Sequence, residues 1–185
     1  MTRVVLAIFA VLTFGVAEAR AQWSFGSFHG YLTGHIGTAV GGDTSGGATT
    51  GGFSVSMQEA TGWGAEFDFG RSVGVDADAA QLDVNTYVVS MNFITPDKKI
   101  RPFATAGGGV MQVNGCAACG HDAKTYDLAL TAGAGVFALF NDIVGVRADA
   151  RYFWSNSEHV DLGRPENLKY WRLSVGVTYL WTVAP

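Results

Sequence analysis

The sequence predicts an all-β protein: an eight-stranded antiparallel up-and-down transmembrane β-barrel preceded by a cleavable signal peptide. Three observations carry this reading. Glycine fills 25 of 185 positions, about twice its usual share of ~7%, and only 15% of residues are charged against a typical ~25%. Eight segments of alternating apolar and polar residues follow one another, and the connections between them are long and short by turns. Beyond residue 21 no run of about 18 apolar residues occurs. Any membrane crossing must therefore use strands, because helices and closed barrels are the only spanning structures that pair all their backbone polar groups.

Arg3 precedes the apolar run Val4–Val16, and the small-x-small sites Ala17-Glu18-Ala19 and Ala19-Arg20-Ala21 follow. A positive start, a short apolar stretch and a cleavage motif make residues 1–21 a secretory signal peptide. The run is too short for a spanning helix, which needs about 20 residues. Cleavage before Gln22 leaves a barrel domain of residues 22–185 and removes Arg3, Arg20 and Glu18, so 10 basic and 15 acidic residues remain, net −5. That acidic balance argues against a nucleic-acid partner. Two cysteines are too few for a disulfide scaffold.

The predicted strands cover 28–40, 50–58, 62–71, 83–94, 100–113, 125–140, 143–155 and 169–182. A Gly/Thr/Ser loop (Gly41 to Thr49) follows the first and a tight connection (Glu59 to Thr61) the second. An acidic loop (Ser72 to Leu82) follows the third, and the turn Pro96 to Lys99 the fourth. The fifth leads into a long loop with both cysteines (Asn114 to Lys124). The sixth ends in the two-residue Asn141-Asp142 turn and the seventh in a polar loop (Asn156 to Leu168). Short turns on one side and long loops on the other are the habit of a membrane-crossing meander.

Period-2 alternation assigns a face to each side chain. In the third strand Trp63, Ala65, Phe67 and Phe69 oppose Gly64, Glu66, Asp68 and Gly70. In the sixth, Tyr126, Leu128, Leu130 and the following Ala and Val residues oppose Asp127, Ala129, Thr131, Gly133 and Gly135. In the seventh, Val144, Val146, Ala148, Ala150, Tyr152 and Trp154 oppose Gly145, Arg147, Asp149 and Arg151. In the eighth, Trp171, Leu173, Val175, Val177, Tyr179 and Trp181 oppose Arg172, Ser174, Gly176 and Thr178. A soluble barrel would turn the apolar face inward. The polar faces, however, are too poor in charge for a water-facing surface, which carries about 25–35% charged residues. Their small side chains suit a narrow lumen, and the apolar faces then meet lipid. Tyr126, Tyr152, Trp154 and Trp171 form an aromatic girdle at the loop end, and Trp63, Phe140, Tyr179 and Trp181 one at the turn end.

Three segments carry a family resemblance: Arg101-Pro102-Phe103 through Gly107-Gly108-Gly109-Val110, Val146 through Phe153, and Tyr170 through Val177. They resemble the recurrent strands of the OmpA/OmpX-like outer membrane protein β-barrel superfamily, over nearly the whole mature chain. The resemblance implies a monomer of eight antiparallel strands in the outer membrane of a Gram-negative bacterium, inserted by the barrel assembly machinery. Such barrels usually end on an aromatic residue, whereas this chain runs on from Trp181 through Thr182-Val183-Ala184-Pro185.

Eight charges fall on the inward phase: Glu66, Asp68, Asp127 and Asp149 against Arg101, Arg147, Arg151 and Arg172. An eight-stranded lumen has room for side chains and none for a wide pore. A balanced set should therefore pair, with Arg147 and Arg151 held by Glu66, Asp68 and Asp149, since an unpaired buried charge is costly. Cys116 and Cys119 form a Cys-Ala-Ala-Cys run beside His121 and Asp122; a local disulfide is the expectation outside the cytosol, with half of a zinc site as the alternative. Arg71, Lys124 and Lys169 lie at the loop ends of strands, where they would meet lipopolysaccharide phosphates or simply water. Asp76, Asp78 and Asp83 lack EF-hand spacing and carry no metal expectation.

A structural or surface-interaction role with a filled lumen is the favoured reading, with a narrow channel or a carrier of small apolar molecules as the alternative. A secreted soluble barrel is a further one. Lipid A deacylase barrels of this size use a His-x-Ser pair with an acid. The histidines here read His29-Gly30-Tyr31, His35-Ile36-Gly37, His121-Asp122-Ala123 and His159-Val160-Asp161, so neither enzymatic activity nor a cofactor is expected.

Overall fold

The computed structural model describes residues 27–42, 44, 47–77, 80–96, 98–114, 124–156 and 168–183. The expected signal peptide and both cysteines lie outside them. Eight strands close into one barrel: β1 (Phe28–Val40), β2 (Ala48–Glu59), β3 (Trp63–Ala77), β4 (Ala80–Ile94), β5 (Ile100–Asn114), β6 (Lys124–Leu139), β7 (Val144–Asn156) and β8 (Lys169–Val183). Each is antiparallel to the next. β8 closes on β1 in unbroken register from Phe28 opposite Val183 to Val40 opposite Trp171, so the sheet has no edge along this seam.

The turns show how local chemistry sets the hairpins. Gly62, at φ +98°, reverses the chain between β2 and β3, and its N–H donates to Glu59 O at 2.9 Å. Between β6 and β7 the connection is four residues rather than the expected two. Asn141 Oδ1 accepts from the backbone N–H of Ile143 (2.9 Å) and Val144 (2.7 Å), an Asx turn that takes Phe140 and Ile143 out of the ladder.

One expectation fails at the opposite end. The acidic segment Ser72 to Leu82, read as a loop, is largely strand: β3 runs to Ala77 and β4 starts at Ala80. The register shifts between Ser72 and Val75, with Gly74 at φ +73°, and resumes at Val75 opposite Leu82. The bulge absorbs the odd residue, so the ladder continues past aspartates whose composition reads as loop.

The lumen is layered. Arginines and carboxylates meet at its middle. Toward the loop end, Val84, Val88, Met111, Ala129, Phe153 and Tyr170 form a buried apolar cluster. Toward the turn end Tyr31, Ile94, Phe103, Phe137 and Leu180 form another. The outer face is the reverse of a soluble protein's, with Ile36, Val89, Met91, Leu128, Val175 and Val177 all exposed. Water would penalise such a surface; acyl chains do not.

Candidate functional site

The buried charges of this barrel gather in the middle of the lumen. Strands β3, β7 and β8 deliver them because Glu66, Asp68, Arg147, Asp149, Arg151 and Arg172 share the inward phase of their strands. Arg147 Nη1 donates to Glu66 Oε2 at 2.8 Å and Nη2 to Oε1 at 3.3 Å; its Nε donates to Asp149 Oδ2 at 2.9 Å. Arg151 donates from Nη2 to Glu66 and from Nε to Asp149 Oδ1 at 3.3 Å, and its Nη1 stands 3.8 Å from Asp68. Arg172 Nη2 donates to both oxygens of Asp68, at 2.8 and 2.9 Å. Three cations thus face three anions, and Glu66, Asp68 and all three arginines are at most 2% exposed. Charges buried this deeply persist only when paired and hydrogen-bonded.

The layer is tied to the apolar clusters on both sides. The Arg147 guanidinium lies 4.5 Å from the Phe103 ring centre and 5.1 Å from that of Phe137. The Arg172 guanidinium lies 5.0 Å from the ring of Phe153, which stacks on Tyr170 at 5.3 Å. Arginine's planar cation is suited to an aromatic face. Glycine opens the needed space. A side chain at Gly70 would run into Arg172 Nη1, and one at Gly133 would stand 2.7 Å from Arg151 Cγ.

Two of the eight expected lumen charges stand apart. Arg101 is the second residue of β5 and sits at the turn end, half-buried, donating to Tyr31 Oη (2.7 Å) and Lys98 O (2.8 Å). Asp127 faces inward and is buried toward the loop end, where it makes no ion pair among the described residues. Both share the phase of the network and differ from it in height. The sequence reading also missed three kinds of partner. His35 Nε2 lies 3.5 Å from Asp68 Oδ2, Ser54 Oγ accepts from Arg147 at 3.1 Å, and Phe103, Phe137 and Phe153 flank the arginines. The signal for all three was available, since each stands on the inward phase of its strand.

Outside, Tyr126, Trp171, Trp63, Phe140 and Tyr179 are exposed at the two levels expected of girdles. Tyr152, Trp154 and Trp181 are half-buried because they pack on neighbouring rings: Tyr152 on Trp171 at 5.1 Å and on Trp154 at 6.1 Å, Trp181 on Tyr179 at 6.2 Å. Arg71 is not a loose rim cation: it is paired with Asp83 at 3.1 Å, and Asp83 also accepts from the N–H of Gly74. Lys169 is exposed at the start of β8. The side chains of Lys124 and Asp76, and all of Asp78, Cys116 and Cys119, lie outside the described residues.

The sequence matches no family and no curated protein. Its fold is similar to that of several solved structures. Neisserial surface protein A aligns with a TM-score of 0.64 at 15% identity, over 83% of this chain and 98% of that one. The N-terminal β-barrel domain of Pseudomonas aeruginosa OprF aligns at 0.57 and 12%, over 84% and 97%. The outer membrane protein OprG, from Pseudomonas aeruginosa, aligns at 0.51 and 12%, over 84% and 96%. Identities this low speak for the fold alone. With an apolar belt outside and paired charges within, the chain is a small eight-stranded transmembrane β-barrel of the kind found in the Gram-negative outer membrane.

Proposed function

We propose that this barrel is a closed, non-catalytic outer-membrane protein whose role is structural and surface-interacting, not one of conduction. The observation that supports this is the lumen itself. Arg147, Arg151 and Arg172 are bonded across the barrel to Glu66 and Asp68, Arg147 and Arg151 also bond Asp149 along β7, and apolar clusters stand above and below them. An ion crossing this path would have to displace buried, bidentate pairs, which cost several kcal/mol to separate. The only described histidine within ion-pairing distance of a carboxylate, His35 beside Asp68, is sealed in the lumen, out of reach of a lipid substrate. In this reading Lys169, exposed at the outer end of β8, meets the phosphates of lipopolysaccharide.

The test is conductance in planar lipid bilayers, with the folded state of the same preparation verified by heat-modifiable mobility. The wild-type barrel is expected to give no steady openings. A reproducible single-channel current would overturn the closed reading in favour of a narrow channel.

A further inference from the structure

The aromatic girdle at the loop end does not run all the way round the barrel. Tyr126 carries it on β6, and directly opposite Tyr126 on β5 stands Gln112. Gln112 pairs with Asn85 on β4, and Asn85 with Arg71 on β3. All four face outward, because their strand neighbours Ser72, Val84, Thr86, Met111, Val113 and Asp127 are buried. Strand tilt sets the depth of this row. Followed past Arg71, the same line of paired residues runs through Gly51, Ile36, Val175 and Ala148 and returns to β6 at Val136, well to the turn side of Tyr126. Each step from Tyr126 to Arg71 therefore descends toward the hydrocarbon. Two residues below Arg71 and Asn85 on the same face stand Phe69 and Tyr87, their ring centres 5.1 Å apart.

We propose that this strip of the outer wall, the row Arg71–Asn85–Gln112 above Phe69 and Tyr87, binds the sugar backbone of lipid A in the outer leaflet, with an acyl chain on the rings below. The inference rests on the outer-membrane reading, in which the long-loop end faces outward. Hydrogen bonding, not net charge, selects the ligand. Arg71 is already paired with Asp83 at 3.1 Å, so it is no free phosphate ligand. Gln112 Nε2 donates to Asn114 Oδ1 at 3.0 Å, which leaves Gln112 Oε1 to accept from outside. The Asn85 amide makes no side-chain hydrogen bond among the described residues and is half-buried at interface depth. An amide both donates and accepts. The phosphodiester and ester oxygens of a phospholipid only accept, whereas the hydroxyl and amide groups of an amino sugar do both. Polar row and ring pair adjoin on one face, which matches the order of sugar and acyl chain in a glycolipid.

The full mature chain, refolded in detergent micelles and checked by heat-modifiable mobility, is titrated with one of three lipids, and bound lipid is counted by native mass spectrometry. The lipids are lipid A, monoglucosyl dioleoylglycerol (a sugar without phosphate) and dioleoylphosphatidylmethanol (an anionic phosphodiester without a donor). One lipid A per chain is expected, with weaker retention of the glucosyl lipid, at concentrations where the phosphodiester is not retained. N85L/Q112L places apolar side chains on a lipid-facing wall and should weaken lipid A retention roughly 10-fold, as two hydrogen-bonding groups are lost. If that variant does not fold, N85A/Q112A removes the same groups. Lys169→Gln, across the barrel on β8, should change retention less than about two-fold. Equal retention of lipid A and the phosphodiester assigns a phosphate site and overturns the proposal. So does retention indifferent to N85L/Q112L, or retention lost with Lys169→Gln, which would move the contact to β8. Conductance plays no part in this readout, so its outcome is independent of whether the lumen is closed.

Discussion

Arg151 and Phe153 stand two residues apart on the same face of β7, and both are fully buried, yet they live in opposite environments. Arg151 is bonded to Glu66 and Asp149, whereas Phe153 stacks on Tyr170 among aliphatic side chains. At the other end of the lumen the same contrast separates Arg147 from Phe137. The middle of the barrel is specified by direct, charge-assisted bonds and its ends by close packing. The ends exclude water from the middle, and exclusion of water strengthens the pairs. An interior can therefore be polar without being a passage.

The strongest way to break this contrast is to remove one charge from the middle. Arg151→Met leaves Glu66 and Asp149 each short of a cation, and about 3–5 kcal/mol of stability should be lost. Urea unfolding in lipid vesicles, followed by tryptophan fluorescence, measures it; a loss below about 1 kcal/mol would mean the layer is not a coupled unit. Next comes Phe137→Ala at the turn end, where the ring contacts Tyr31 at 5.1 Å and Phe103 at 5.0 Å. The loss of packing should cost about 3 kcal/mol in the same assay.

Gly70→Ala sharpens the comparison at the boundary of the two regimes. The added methyl meets Arg172 Nη1 and forces the guanidinium off Asp68, for a loss of about 1–3 kcal/mol. Combined with Arg172→Met, the Gly70→Ala change should cost less, only the Thr86 Oγ1 contact at 2.9 Å remaining, and a double-mutant cycle reads this coupling directly. The smallest effect belongs outside the lumen. Arg71 and Asp83 make an ion pair of the same chemistry as the buried ones, but Arg71 is 58% exposed. Arg71→Gln should change stability by less than about 1 kcal/mol, and the difference should shrink further in high salt.

How much of this was readable beforehand follows from which signals are local. The strand pattern and the phase of every charged side chain come from period-2 alternation, so Glu66, Asp68, Arg147, Asp149, Arg151 and Arg172 could be assigned to the lumen without coordinates. Arg101 and Asp127 obey the same phase and were grouped with them. Their separation from the network is a matter of height along the barrel axis, and alternation carries no information about height. The segment after Ser72 was misread for a different reason: composition marks aspartate and glycine as loop residues, whereas the bulge at Gly74 lets pairing resume beyond it.

By itself, the sequence determined the architecture and its polarity: eight strands, oily outside, polar inside, with aromatic residues at two levels. These follow from the side-chain period of a strand and from the demand that backbone groups inside a membrane be paired. The tertiary structure alone decided which arginine meets which carboxylate and that aromatic rings cap the charged layer. Each of these depends on the register between strands distant in sequence and on their stagger around the closed barrel, and a linear pattern leaves both free.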